Sequence, residues 1–62
     1  MYKALIVDDE PLERKAMKRV ITERIKELRL IGEATNGKEA LEVTKEEKPD
    51  IILMDIKMPE VD

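Results

Sequence analysis

A chain of 62 residues, 44% of them charged and with a net charge of −3, makes one small domain. At this length only about 60% of the unfolded surface is buried on folding, so the core is marginal. The absence of Cys and His excludes disulfides, thiolate chemistry and an imidazole base.

The acidic balance gives no basic footprint for nucleic acid. The apolar runs are too short to span a membrane, and the first residues do not resemble a signal peptide. The expected setting is the cytoplasm. Any metal site must be built from oxygen donors, which suits a hard cation such as Mg²⁺ or Ca²⁺.

In chain order, the first predicted strand covers residues 3–7, where Ala4, Leu5, Ile6 and Val7 form an unbroken apolar run. A run without alternation is the pattern of a central parallel strand covered on both faces. Asp8, Asp9 and Glu10 end it. Pro11 then suits the first position of a helix, and acids suit its N-terminus. The helix is predicted over residues 11–28, with Leu12, Ala16, Met17, Val20, Ile21, Ile25 and Leu28 as its inward stripe. Glu13, Arg14, Lys18, Arg19, Glu23, Lys26 and Glu27 fill the opposite, solvated face.

A second strand over residues 30–35 mixes apolar and polar residues, as an edge strand does. Asn36-Gly37 is a turn signal, and Asn36 with Glu39 resembles a cap for the next helix. That helix is predicted over residues 38–47, with Ala40, Leu41 and either Val43 or Thr44 inward. Pro49-Asp50 stops it. Ile51, Ile52, Leu53 and Met54 form the third strand, with Asp55 at its tip and the loop Ile56-Lys57-Met58-Pro59 beyond.

Strands alternating with helices give an α/β fold with a parallel sheet and right-handed crossovers. Two apolar strands and one mixed strand place the order at 2-1-3. The crossovers leave the first strand in opposite directions, so the gap between the tips of strands 1 and 3 is a switch point where open α/β sheets bind ligands. Asp8, Asp9 and Asp55 fall there. Because adjacent strand residues point oppositely, Asp8 and Asp9 can both serve only if the chain has begun to turn. Taken singly, Asp8 and Asp9 suit a helix cap and Asp55 suits an ordinary loop acid; together they favour a site.

Carboxylates held together must take up a proton or bind a cation. Mg²⁺ with one or two carboxylates, a backbone carbonyl such as that of Lys57, and water fits the set. Asp55 beside such a cation could attack an electrophilic phosphorus and become an aspartyl phosphate.

Leu5-Ile6-Val7-Asp8-Asp9-Glu10-Pro11, Asn36-Gly37-Lys38-Glu39-Ala40-Leu41, Lys48-Pro49-Asp50-Ile51-Ile52-Leu53-Met54-Asp55 and Met58-Pro59 together resemble the receiver domain of bacterial two-component response regulators. The resemblance covers the whole chain and implies half of a flavodoxin-like doubly wound sheet. Residues 1–62 would be the first half of a receiver, ending in the loop after the third strand. It implies that Asp55 accepts phosphate from a histidine kinase and that the chain is a phosphoacceptor module rather than an enzyme. It also implies that Asp9 binds Mg²⁺ directly, Asp8 mainly through water, and the Lys57 carbonyl completes the protein ligands.

The family's hydroxyl residue after strand 4 and Lys after strand 5 have no counterpart here, which implies weak Mg²⁺ binding and slow or absent phosphorylation. An apolar third strand at a sheet edge is a template for pairing, so the chain is expected to form a homodimer through it. The alternative function is a self-assembling structural half-fold without activity. A hydrolase working through an aspartyl phosphate is disfavoured, because Glu10 and Pro11 follow Asp9 where an Asp-x-Asp pair would be needed.

Overall fold

The computed structural model describes residues 1–54. The elements run β1 (Tyr2–Val7), α1 (Pro11–Arg24), β2 (Leu28–Ala34), α2 (Gly37–Glu47) and β3 (Ile51–Met54). The three strands form one parallel sheet in the order β2-β1-β3, as expected from the apolar patterns. Leu5 and Val7 face α2, where they cluster with Ala34, Ala40 and Val43. Alternation along β1 turns Ala4 and Ile6 to the other face. There α1 contributes Ile21, its one buried residue.

Ala4, Leu5 and Ile6 are fully buried. Burial of a side chain the size of Leu or Ile stabilises by roughly 1.5–3 kcal/mol, so β1 supplies much of what holds so small a core together.

β2 is not a uniform ladder. Ala4 pairs with Leu30 and Leu5 with Gly32, so Ile31 is an extra residue and the strand carries a bulge. Glycine inside a strand often marks such a place. Past the bulge Glu33 stands opposite Ile6 and Ala34 opposite Val7. Glu33 therefore falls on the α1 face and Ala34 on the α2 face.

The first helix is shorter than its periodicity predicts. It stops at Arg24 rather than at residue 28. The Ile25 N–H still donates to Ile21 O, but Leu28 N–H donates to Ile25 O and Tyr2 N–H donates to Glu27 O. Leu28 has joined β2 opposite Tyr2. Pairing with β1 thus takes residues whose spacing alone fits a helix. The inward stripe is also narrower than predicted. Met17 and Ile25 are half-buried, Ala16 and Val20 are exposed, and Leu12 is 76% exposed.

α2 begins as expected. The Asn36 side chain accepts from Glu39 N–H at 2.9 Å, and Glu39 Oε1 accepts from Thr35 N–H at 2.7 Å and from the Thr35 hydroxyl. That hydroxyl, followed by the amide, holds the exposed Glu39 carboxyl below its usual range. Ala40 is buried and Val43 and Thr44 are half-buried, whereas Leu41 is 56% exposed. Leu41 sits one residue past Ala40, about 100° around the helix, and so leaves the face that Ala40, Val43 and Thr44 share. The helix closes on Lys48, in the left-handed region at φ 50° ahead of Pro49.

Asp50 does more than end a helix. Its carboxylate accepts from Lys3 N–H at 2.8 Å and its N–H donates to Lys3 O at 2.8 Å. These bonds fasten the start of β3 beside the start of β1 and set the register from Ala4–Ile51 to Val7–Met54. β3 has an apolar sequence but is an edge, and Ile51, Ile52 and Met54 are exposed.

Candidate functional site at the tips of β1 and β3

β1 ends at Val7, but its last sheet bond is one residue further on, where Asp8 N–H donates to Ala34 O at 2.9 Å. The chain then bends at Asp9. This is the turn that both acids need in order to serve one site. Asp8 remains in the core at 2% exposure, and Asp9 is outside.

The Asp8 carboxylate is held from one side only. Oδ1 accepts from Glu10 N–H at 2.9 Å, while Oδ2 is buried with no hydrogen-bond partner among the described residues. Glu10 is the N-cap residue of α1 and its own side chain makes no capping bond, with Pro11 at the first helical position; Asp8 reaches only the Glu10 N–H ahead of the helix.

Asp8 opens into a depression of about 430 Å³ lined also by Glu13, Ala16, Met17 and Met54. Met54 comes from β3, so the depression spans the gap between the two strand tips. Asp8 and Glu13 make its wall acidic, and Ala16, Met17 and Met54 make the rest apolar. A buried carboxylate beside such a space is the donor chemistry a hard cation uses. Asp8 alone does not make a metal cage, and among the described residues no three acids converge into one. Asp55 and Lys57, predicted as phosphoacceptor and carbonyl ligand, lie outside the described residues. The register ends with Val7 beside Met54, and Asp55 is the next residue of the sequence.

Arg14 belongs to this site, although the helical pattern assigns it to the solvated face. Its side chain is 20% exposed. Nη1 donates to Asp8 O at 2.9 Å, and Nε donates to Glu33 Oε1 at 3.1 Å. Lys18 Nζ donates to the other Glu33 oxygen at 2.9 Å. The Lys18 bond, followed by the charges and by Arg14, holds the Glu33 carboxyl below its usual range. Glu13, in the wall, and Arg14 were both hidden by the same reading of α1. What could have exposed them is their position, in the first turn after the acids.

A family model described as the response regulator receiver domain matches residues 4–62. The chain is 52% identical over 59 residues to the chemotaxis protein CheY of Thermotoga maritima, covering 95% of this chain and 48% of that protein. It is 45% identical to a protein-glutamate methylesterase/protein-glutamine glutaminase of Methanococcoides burtonii, covering all of this chain and 17% of the relative.

Among solved structures, the response regulator domain of Thermotoga maritima CheB superposes with a TM-score of 0.83 at 37% identity, covering all of this chain and 46% of that one. A LuxR-family two-component response regulator from Aurantimonas sp. gives 0.83 at 34% identity over 95% of this chain and 41% of its own. This chain therefore spans less than half the length of each of these relatives. Its β-α-β-α-β unit matches half of a flavodoxin-like receiver fold. The chain belongs to the response regulator receiver domain family.

Proposed function

We propose that this chain is a phosphoacceptor module in which Asp55 takes a phosphoryl group at the rim shared by β1 and β3. The observation that carries this reading is the buried Asp8 carboxylate, one oxygen of which has no hydrogen-bond partner among the described residues, in a residue that lines a depression with Met54 of β3.

The residues fit Mg²⁺: the described donors are carboxylate oxygens and the chain has no His or Cys. When bound, the ion neutralises charge on the phosphoryl oxygens. Asp9, outside the turn, would be a direct ligand, Asp8 would act through water, and the Lys57 carbonyl would complete the protein's share. A carboxylate oxygen of Asp55 attacks phosphorus, the bond from phosphorus to the donor breaks, and the donor leaves with its electron pair. In this reading the natural donor is a phosphohistidine on a kinase, and the chain is a substrate rather than an enzyme.

The test is transfer from acetyl phosphate in the presence of Mg²⁺, with Asp55→Asn as control. An inert structural half-fold would take up nothing.

We also infer that a second copy of the chain pairs along β3, supported by the exposure of Ile51, Ile52 and Met54 on an edge strand. Light scattering should return twice the 7.2 kDa of one chain. A mass of one chain contradicts the pairing.

A further inference from the structure

We infer that Arg14 is a positioning residue for the acidic rim, holding the Asp8–Asp9 turn in its site geometry through a brace anchored on Glu33; this rests on the Mg²⁺ reading above. Three features of the chain build the brace. The bulge at Ile31 turns Glu33 onto the α1 face, opposite Ile6. Glu33 there binds Arg14 Nε and Lys18 Nζ with separate oxygens, which fixes the guanidinium. The guanidinium then gives Nη1 to the carbonyl of Asp8.

Asp8 is thus held at three points: its N–H by Ala34 O, its carbonyl by Arg14, and its Oδ1 by the Glu10 N–H. With both backbone groups and one carboxylate oxygen committed, Oδ2 has a single direction. The bend that puts Asp9 outside follows from the same fixed peptide. A planar guanidinium can satisfy two acceptors at set angles, which an ammonium cannot do.

A purely electrostatic role for Arg14 has the opposite sign. A cation near a cation site repels the metal, so removing it would tighten Mg²⁺ binding. Positioning predicts weakening. Glu33 is shared by Arg14 and Lys18, so the sign of the change in Mg²⁺ binding decides between the two roles.

The experiment measures Mg²⁺ affinity and amide hydrogen exchange for the wild type, Arg14→Ala, Arg14→Lys and Glu33→Gln. Arg14→Ala should weaken Mg²⁺ about tenfold, the scale of one hydrogen bond to a charged group. The other two variants should weaken it by less. Exchange protection of the Glu10 amide should fall by a similar factor in Arg14→Ala, while the Lys48 amide, bonded within α2 to Thr44 O, stays unchanged.

Unchanged or tighter Mg²⁺ binding in Arg14→Ala, with the Glu10 amide still protected, overturns the inference. Parallel loss of protection at Glu10 and Lys48 overturns it too, since that is general destabilisation. If the wild type itself binds no Mg²⁺, the functional reading fails, and the Glu10 amide alone decides whether the brace exists.

Discussion

Incubated with acetyl phosphate and Mg²⁺, the chain is expected to gain one phosphoryl group, and Asp55→Asn to gain none. The difference is all or nothing because an amide oxygen in place of a carboxylate removes the nucleophile while leaving size and shape. The adduct should also need the metal, since Asp8 and Asp9 carry uncompensated negative charge that repels an incoming phosphoryl group. Chelation of Mg²⁺ should therefore abolish uptake as fully as the substitution does. Intact-mass measurement reads both. An adduct that survives Asp55→Asn, or that forms with chelator present, would place the chemistry elsewhere.

Asp8→Asn should separate stability from function. Asp8 is buried with one carboxylate oxygen unpartnered, and an unsatisfied buried acceptor costs about 1–3 kcal/mol. Asn keeps an oxygen for the Glu10 amide and puts a neutral NH₂ group where the second oxygen was, so the change is the loss of the buried charge. Without metal the variant is expected to melt at or above the wild-type temperature, by the equivalent of about 1 kcal/mol. With Mg²⁺ the order reverses. A ligand at a hundred times its Kd stabilises by about 2.7 kcal/mol, and only the wild type should gain it. Thermal melts with and without Mg²⁺ measure the crossing. A variant less stable than the wild type in chelator would mean that the Asp8 charge supports the fold, not a site. Proteins commonly hold such strain where they bind a ligand.

Much of this arrangement can be read from residues alone, because each boundary has a local cause. Pro11 starts α1, Asn36 caps α2, and Pro49 follows the left-handed Lys48 that closes it. The unbroken apolar runs at Ala4–Val7 and Ile51–Met54 against the mixed β2 suffice for the strand order. What escapes the sequence depends on partners far along the chain. Ile25 and Leu28 continue the helical spacing, and the bond from Tyr2 to Glu27 and the pairing of Tyr2 with Leu28 show that β2 claims Leu28. Leu41 is apolar yet outside, because Ala40 and Val43 set the buried row.

Asp8 and Asp9 are legible as a pair of acids at the end of an apolar strand, and the structure places them there, Asp8 buried and Asp9 outside. Their supports are not legible. Arg14 looks like any helical cation until the bulge at Ile31 brings Glu33 to it. Asp50 looks like a helix stop until its carboxylate is found on the Lys3 amide. Charged side chains that act within the fold cannot be told by spacing from those that meet water.

The central claim is that β1 and β3 bring their acids to one cation. Carboxyl-carbon NMR during a Mg²⁺ titration tests it most directly. The account predicts that the Asp8, Asp9 and Asp55 signals move together with one dissociation constant, while Asp50, at the opposite end of the strands, stays in place. An Asp55 signal that does not respond, or that follows a different dissociation constant from Asp8 and Asp9, would contradict it.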